Sequence, residues 1–409
     1  MLTHMPNRRL AIIFAVVLVD MLSFSIVLPL LPYLAGDLGA NRFQIGLLAA
    51  MYPIFQFIGA PILGRLSDRF GRKPVLMLSI AGTILGFIVL ATARSLWVLF
   101  LSRSLDGITG GNISVAQAYI SDVTKPSERG KALGMIGAAF GLGFILGPVT
   151  GGLLSSISYT APAWLGAALA AVNLILVASL LPESLSIADK ERLTANPRKA
   201  FDLGGMVRAM RHKRVGPLLT VRILIGLSFG IFESGFALWG IAALALSART
   251  NSFVLAYVGV LSVIIQAFLI GKLTARWSDD GLLLSSLTVA SLALTAWGFV
   301  ANLPLLIVIM PALSFGLAVS NTISTSALTK AVHQDEVGGI LGVSTSIQAA
   351  TRIPAPIIAG ALLQYAAVWS PGVTAGAIAG AAAVFAAFTL CWRPGASACQ
   401  EDEAQLRAE

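Results

Sequence analysis

Four ionisable side chains, Asp20, Arg103, Glu233 and Arg352, stand inside long apolar stretches of this chain. A carboxylate at bilayer depth is costly when ionised, so Asp20 and Glu233 suit a group that gains and loses a proton. A guanidinium in the same surroundings needs a partner, and its field acts on any carboxylate beside it. Asp20 lies mid-run, nine residues before Pro29, and Gly230 and Gly235 flank Glu233. Each residue also has a plainer reading. Asp20 can be a structural acid bonded to backbone or to Arg103. Glu233 can be a satisfied acid, or a contact for a cationic substrate. Arg103 can reach the outer interface along its own stem, or pair with Asp106 three residues on. Arg352 can pair with Glu233 or bind an anionic substrate. The polar groups Asn112, Gln117, Asn321 and Thr322, with Gln56, Gln266 and Gln348 nearby, can contact substrate or bond helix to helix.

Covalent chemistry is not expected. The chain has no GxxxxGK[ST] phosphate loop and no Cys/His spacing that would hold a metal. Cys391 and Cys399 lie near the end of the chain, where the topology below puts a reducing compartment. With no nucleophile–base pair either, the reading is of a protein that is not an enzyme and carries no cofactor or metal.

The elements that must position these groups follow from composition. Of 409 residues, 56% are hydrophobic and 11% charged, whereas a soluble domain carries about a quarter charged residues. Apolar runs near the 20 residues needed to span a bilayer recur about twelve times from Leu10 to Trp392. They fall near 10–34, 43–63, 74–93, 97–121, 131–154, 162–181, 217–243, 253–272, 282–301, 304–328, 338–366 and 372–392. The runs are continuous rather than alternating, so they read as helices and not barrel strands. The first is too long for a signal-peptide core and carries Asp20, so it reads as retained.

The net charge of +9 follows membrane topology, which argues against a nucleic-acid partner. Arg8 and Arg9 precede run 1, while Arg65, Arg69, Arg72 and Lys73 follow run 2. Lys125, Arg129 and Lys131 follow run 4, and residues 183–215 are rich in Arg and Lys. The opposite loops hold only Arg42, Arg94 and Arg249. By the positive-inside rule both termini and the middle segment are cytoplasmic, as in a multi-pass protein of a bacterial inner membrane. Trp97, Trp164, Trp239, Trp297 and Trp369 are expected at the outer interface. The chain divides into a six-helix bundle (1–182), a basic linker (183–215) whose stretch 201–215 reads either as an interfacial helix or as solvated chain, a second bundle (216–392) and a tail (393–409).

The two bundles repeat. Gly64-Arg65-Leu66-Ser67-Asp68-Arg69-Phe70 aligns with Gly271-Lys272-Leu273-Thr274-Ala275-Arg276-Trp277. Glu128, Gly130 and Leu133-Gly134 align with Glu336, Gly338 and Leu341-Gly342, and Pro148 to Gly152 aligns with Pro356 to Gly360. One offset of about 208 residues serves all three, as parallel repeats require.

Three motifs carry a resemblance. Gly64 to Pro74 resembles the loop between helices 2 and 3 of the major facilitator family. There Gly64 would permit close helix approach, Gly71 a tight turn, and Asp68 a cap or an ion pair with a cation, with Arg69 and Arg72 among the motif's basic residues. Asp122 and Glu128 would complete a breakable charge cluster acting as a gate. Arg103 to Gly110 resembles the family's helix 4 motif, whose Arg is linked to proton transfer, although Asp106 stands where an amide is usual. Gly143, Gly147, Pro148, Gly151 and Gly152 resemble the helix 5 motif associated with exporters, and should kink that helix and let it pack tightly.

From Asp20 to Glu183 the chain is similar to tetracycline–proton antiporters. Asn321 to Lys330 and Gln348 to Gly360 are more similar to tetracycline-transporter-like organic-cation carriers of animals. The resemblance implies an all-α integral membrane fold of about twelve spans in two six-helix pseudo-repeats, acting as a monomer. It implies a proton-coupled exporter whose partners are protons, the lipid bilayer and a small amphipathic substrate. Asp20, Glu233 and Arg103 would couple protons. Asn112, Gln117, Glu233, Asn321 and Arg352 would meet the substrate. Those antiporters carry an acid inside helix 3, where this chain has Gly86, which argues against metal-chelated tetracycline. The rivals are an uptake carrier for a metabolite and a membrane receptor or scaffold that transports nothing.

Overall fold

The computed structural model describes residues 6–124, 126–195, 203–212, 214–333 and 337–391, and all their regular structure is helical. The chain opens with α1 (Pro6–Val27), passes through a 3-10 turn at Leu28–Leu30 and continues as α2 (Leu31–Asp37). Pro29 and Pro32 lack the amide hydrogens a regular helix would need there. Next come α3 (Arg42–Phe70), α4 (Arg72–Ala91), α5 (Leu96–Thr109), α6 (Asn112–Val123), α7 (Pro126–Leu154) and α8 (Ala161–Leu180). Two short helices, α9 (Ile187–Ala195) and α10 (Leu203–Arg211), occupy the polar middle segment. The second half holds α11 (Val215–Leu244), α12 (Ala248–Ile264), α13 (Ile270–Thr274), α14 (Asp279–Gly298), α15 (Leu303–Lys330), α16 (Val337–Thr351), α17 (Pro354–Tyr365) and α18 (Ser370–Ala386).

Ten of the helical stretches among the described residues are long and apolar enough to cross a membrane. The other two expected spans are the fourth and eleventh runs, and each is broken in the middle. α5 has 14 residues and α6 has 12, so each rises only about 20 Å of a core about 30 Å thick. Gly110 and Gly111 separate them, the residue type least able to hold helix. In the eleventh run the break falls at Arg352-Ile353, just before Pro354, and a residue preceding proline is disfavoured in helical geometry.

Contacts between Cα positions divide the chain into two compact units. The first comprises residues 1–202, 234–260 and 352–368; the second comprises 203–233, 261–351 and 369–409. The first unit has its apolar core on α1, α3, α4, α6, α7 and α8, around Ile13, Val17, Leu76, Ile80, Tyr119 and Ala139. Small residues set its helix spacings. Gly143, Gly147 and Gly151 of α7 face Met21, Ser25 and Ile26 of α1, and a Cβ at Gly143 would stand 2.7 Å from that of Met21. The Ser25 hydroxyl donates across this seam to the Gly143 carbonyl at 2.7 Å. Gly152 faces Ser252, and α7 stays helical through Pro148. Elsewhere in this unit Gly46 of α3 meets Pro356 and Gly360 of α17 backbone to backbone. The second unit is cored by α11, α14, α15 and α18, around Val221, Leu287, Val319 and Ala382.

Three expectations are corrected. Gly64 to Phe70 is not a loop but the last two turns of α3, and Gly71 alone makes the turn, with φ +108°. Gly64 makes no close helix approach, since among the described residues no atom of a neighbouring element lies within 4 Å of a Cβ built there. Trp239 and Trp297 are buried, while Trp97, Trp164 and Trp369 are exposed as an interfacial belt requires. Trp297 packs edge-on against Phe232 at 5.1 Å between ring centroids, so its size fills a core rather than marking a boundary.

Gly46→Val should force the α3–α17 crossing apart at an overpacking cost of about 1–3 kcal/mol. Thermal denaturation in detergent should show a lower melting temperature for Gly46→Val and no loss for Gly64→Ala.

Candidate functional site

The break in the fourth span builds the centre of the first unit. It frees the carbonyls of Thr109 and Gly110, which water cannot reach in a bilayer. Ser79 of α4 donates its hydroxyl to the Thr109 carbonyl, and Gln56 of α3 donates its amide to the Gly110 carbonyl at 2.8 Å. The Gln56 amide also meets the Tyr52 hydroxyl at 3.0 Å. Directly after the break, Asn112 is buried at the start of α6, and its amide donates to the Asp20 carboxylate in the middle of α1. Asp20 is therefore held by an amide, not by backbone or Arg103.

One turn before the break, Arg103 and Asp106 are both buried, 3.3 Å apart across a single turn of α5. The Arg103 guanidinium also lies over the Phe87 ring, 5.8 Å from its centroid. Arg103 thus stays inside the bundle rather than reaching for the interface. Its Nε and Nη2 make no hydrogen bond among the described residues, so Nη2 meets Asp106 as an ion pair only. Asp106 fits because α4 presents Gly86 to its Cβ. A Cβ at Gly86 would stand 3.0 Å from the Asp106 Cβ. Gly86 of α4 therefore faces an acid on the next helix.

A second cluster forms where α3 passes into α4. Arg72 is 4% exposed, reaching Asp68 at 2.6 Å and Asp122 of α6 at 3.0 Å. It also donates to the Ser67 hydroxyl at 2.6 Å. Glu183 closes the other side: its carboxylate accepts from the Arg72 and Lys73 amides at 2.9 and 3.3 Å and so caps the start of α4. Ser184 donates to Asp122 at 3.0 Å, tying the segment after α8 to the same acid. Arg69 stands apart, exposed over the Phe70 ring at 5.3 Å. The Glu128 side chain lies outside the described residues, as do Glu336 and residues 393–409.

The remaining candidates are less gathered. Gln117 is exposed on α6, Glu233 is half-buried on α11, and Arg352 is exposed at the break in the eleventh span. Asn321 of α15 is exposed, and its amide oxygen accepts from Gln348 of α16 at 3.2 Å. Two residues were missed. Glu183 was named only as the end of the stretch that resembles the antiporters, with no role assigned to it. Arg222 of α11 is 5% exposed and donates to the Ser324 and Thr325 hydroxyls at 3.0 and 2.6 Å. Its position near the basic middle segment hid it.

Broken spans, small-residue seams and charges buried at membrane depth are the parts of a multi-pass helical transporter. The chain belongs to the Major Facilitator Superfamily, whose family model matches residues 13–356. It is 32% identical over 360 residues to the tetracycline resistance protein, class C, of Escherichia coli, covering 87% of this chain and 90% of that one. Solute carrier family 22 member 18 of Mus musculus is 30% identical over 341 residues, covering 81% and 84%. Among solved structures, the human organic anion transporter MFSD10 shares the fold with a TM-score of 0.69 at 23% identity, covering 93% of this chain and 99% of that one. The nucleoside transporter NupG does so with a TM-score of 0.74 at 14% identity, covering 93% and 100%.

Arg72→Gln should leave Asp68 and Asp122 side by side without their cation. A loss of about 2–5 kcal/mol is expected, read as a lower melting temperature of the purified protein. Arg72→Lys should recover only part of it, because one ammonium cannot reproduce a guanidinium fork.

Proposed function

We propose that this transporter exports a small amphipathic compound by proton-coupled alternating access, with Asp20 as the proton carrier. The observation that carries this reading is the Asn112–Asp20 hydrogen bond at the break in the fourth span. An ionised Asp20 only accepts hydrogen bonds, whereas a protonated one also presents an O–H that needs an acceptor. Proton uptake therefore changes what the broken span can hold. A ligand that binds the two forms unequally is then coupled to the proton. Arg103 and Asp106 place a fixed dipole one turn away, and Asp106 supplies from α5 the carboxylate that Gly86 leaves out of α4. The named function of the 32%-identical bacterial relative, tetracycline resistance, supports export of a drug-like compound.

The rest of the assignment follows from this reading. Asn112, Gln117, Glu233, Asn321 and Arg352 contact substrate, and Glu233 is a second proton site. Asp68, Arg72 and Asp122, with Glu183 as their cap, form a latch at the cytoplasmic face, and the α1–α7 glycine seam is the exporter motif. The chain works as a monomer of two six-helix halves, both ends in the cytoplasm of a bacterial cell.

Inverted membrane vesicles with an inward-acid gradient, screened against a drug panel, test the proposal. The intact chain should accumulate at least one compound, and Asp20→Asn should lose gradient-driven accumulation by about tenfold or more. The same variant should keep gradient-independent exchange of that compound. Equal accumulation by both proteins would remove Asp20 from coupling. Gradient-driven uptake by intact cells would instead make the protein an importer.

A further inference from the structure

Three arginines are buried among the described residues: Arg72, Arg103 and Arg222. Arg72 has two carboxylates and Arg103 has one. Arg222 has none within ion-pair distance among the described residues. It sits at the eighth position of α11, about 10 Å along the helix from its start. One nitrogen, Nη1, donates to the Ser324 hydroxyl at 3.0 Å, the Thr325 hydroxyl at 2.6 Å and the Asn321 carbonyl at 3.3 Å, all on α15. Both hydroxyls donate in turn to that same Asn321 carbonyl, at 3.1 and 2.7 Å, so their lone pairs are free for the guanidinium. The Nε hydrogen is buried with no acceptor.

This cradle orients a cation without neutralising it. Three neutral oxygens lower the cost of burying a guanidinium, but they supply no opposing charge. A buried guanidinium in a membrane-spanning helix without a carboxylate is a candidate functional site. The neighbours favour a ligand that arrives from outside the cluster. Asn321 is exposed and bonded to Gln348, which sets two amides beside the buried charge at a position a ligand can reach.

We infer that the second unit holds an anion site centred on Arg222, and that it receives the carboxylate of an amphipathic organic acid. The Nε has no exposed surface in this state, so the ligand's oxygens reach its hydrogen as the α11–α15 contact opens, in a charge-assisted bond. Its apolar body lies away from the Asn321 and Gln348 amides. The inference rests on the transporter reading only for calling that ligand a substrate. The site itself stands on the geometry of α11, α15 and α16.

The test is binding to the purified full chain in detergent, followed by thermal denaturation. The probes are 2-naphthoate, the neutral 2-naphthol and the cationic 2-naphthylmethylamine, with chloride as the inorganic control. Naphthoate should protect the wild-type protein better than either shape-matched analogue. Arg222→Gln should weaken that protection by about tenfold or more, and Arg222→Lys by less. Arg222→Gln should also remain monodisperse with an unchanged or higher melting temperature, because it removes an uncompensated charge. Naphthoate protection that is equal in Arg222→Gln, absent from the wild type, or matched by the amine would overturn the site. Protection by chloride alone would overturn the organic ligand. A role only in joining α11 to α15 would show as a lower melting temperature in Arg222→Gln with naphthoate affinity unchanged. Binding without transport in vesicles would sink the export reading and leave the site standing.

Discussion

A charge taken out of water inside a membrane must find its partner within the protein, and the Arg103–Asp106 pair meets that constraint through a single contact of 3.3 Å. Both side chains are buried, and both belong to one helical turn. The pair needs room, and Gly86 provides it on the neighbouring helix. The Phe87 ring lies over the guanidinium and offers the cation a π face. Ser102 spends its hydroxyl on the Gly86 carbonyl at 2.8 Å, which fixes α4 against α5 at this level. Removing either ion would leave the other stranded, at a cost far above that of a surface pair.

The same accounting governs the broken spans. A helix interrupted in a bilayer exposes backbone groups that nothing but protein can satisfy. In the fourth span Ser79 and Gln56 cover the carbonyls at the break, and Asn112 is freed to turn its amide toward Asp20. The interruption that weakens the span thus places the polar group next to the carboxylate. In the eleventh span Pro354 opens the second segment, on which Gly360 crosses Gly46 closely. Glycine and proline serve here as placement devices as much as breakers.

Much of this was legible in the sequence, for physical reasons. Apolar runs of membrane length admit little besides helices, and the ordered Gly, Asp and Arg between the second and third runs pointed to the Arg72 cluster. The end of α3 was not legible. Arg65, Asp68 and Arg69 look like loop because they are polar, yet nothing in their chemistry prevents helix, and α3 continues to the first residue with positive φ. Glu183 could not be read because its partners lie about 110 residues away. Arg222 was masked by the basic segment before it, although its distance from the end of its run set it apart. Trp239 and Trp297 were misplaced because position along a helix says nothing about which face a side chain takes.

The claim at the centre of this account is that Arg103 and Asp106 are retained as a mutually dependent pair within the bundle. A double-mutant cycle with Arg103→Met and Asp106→Asn, followed by melting temperature in detergent, measures that dependence. Each single change should lower the melting temperature sharply, and the double variant should regain much of the loss, with a coupling of about 1–3 kcal/mol. Single effects that simply add would mean that the two charges are satisfied independently, and would contradict the account.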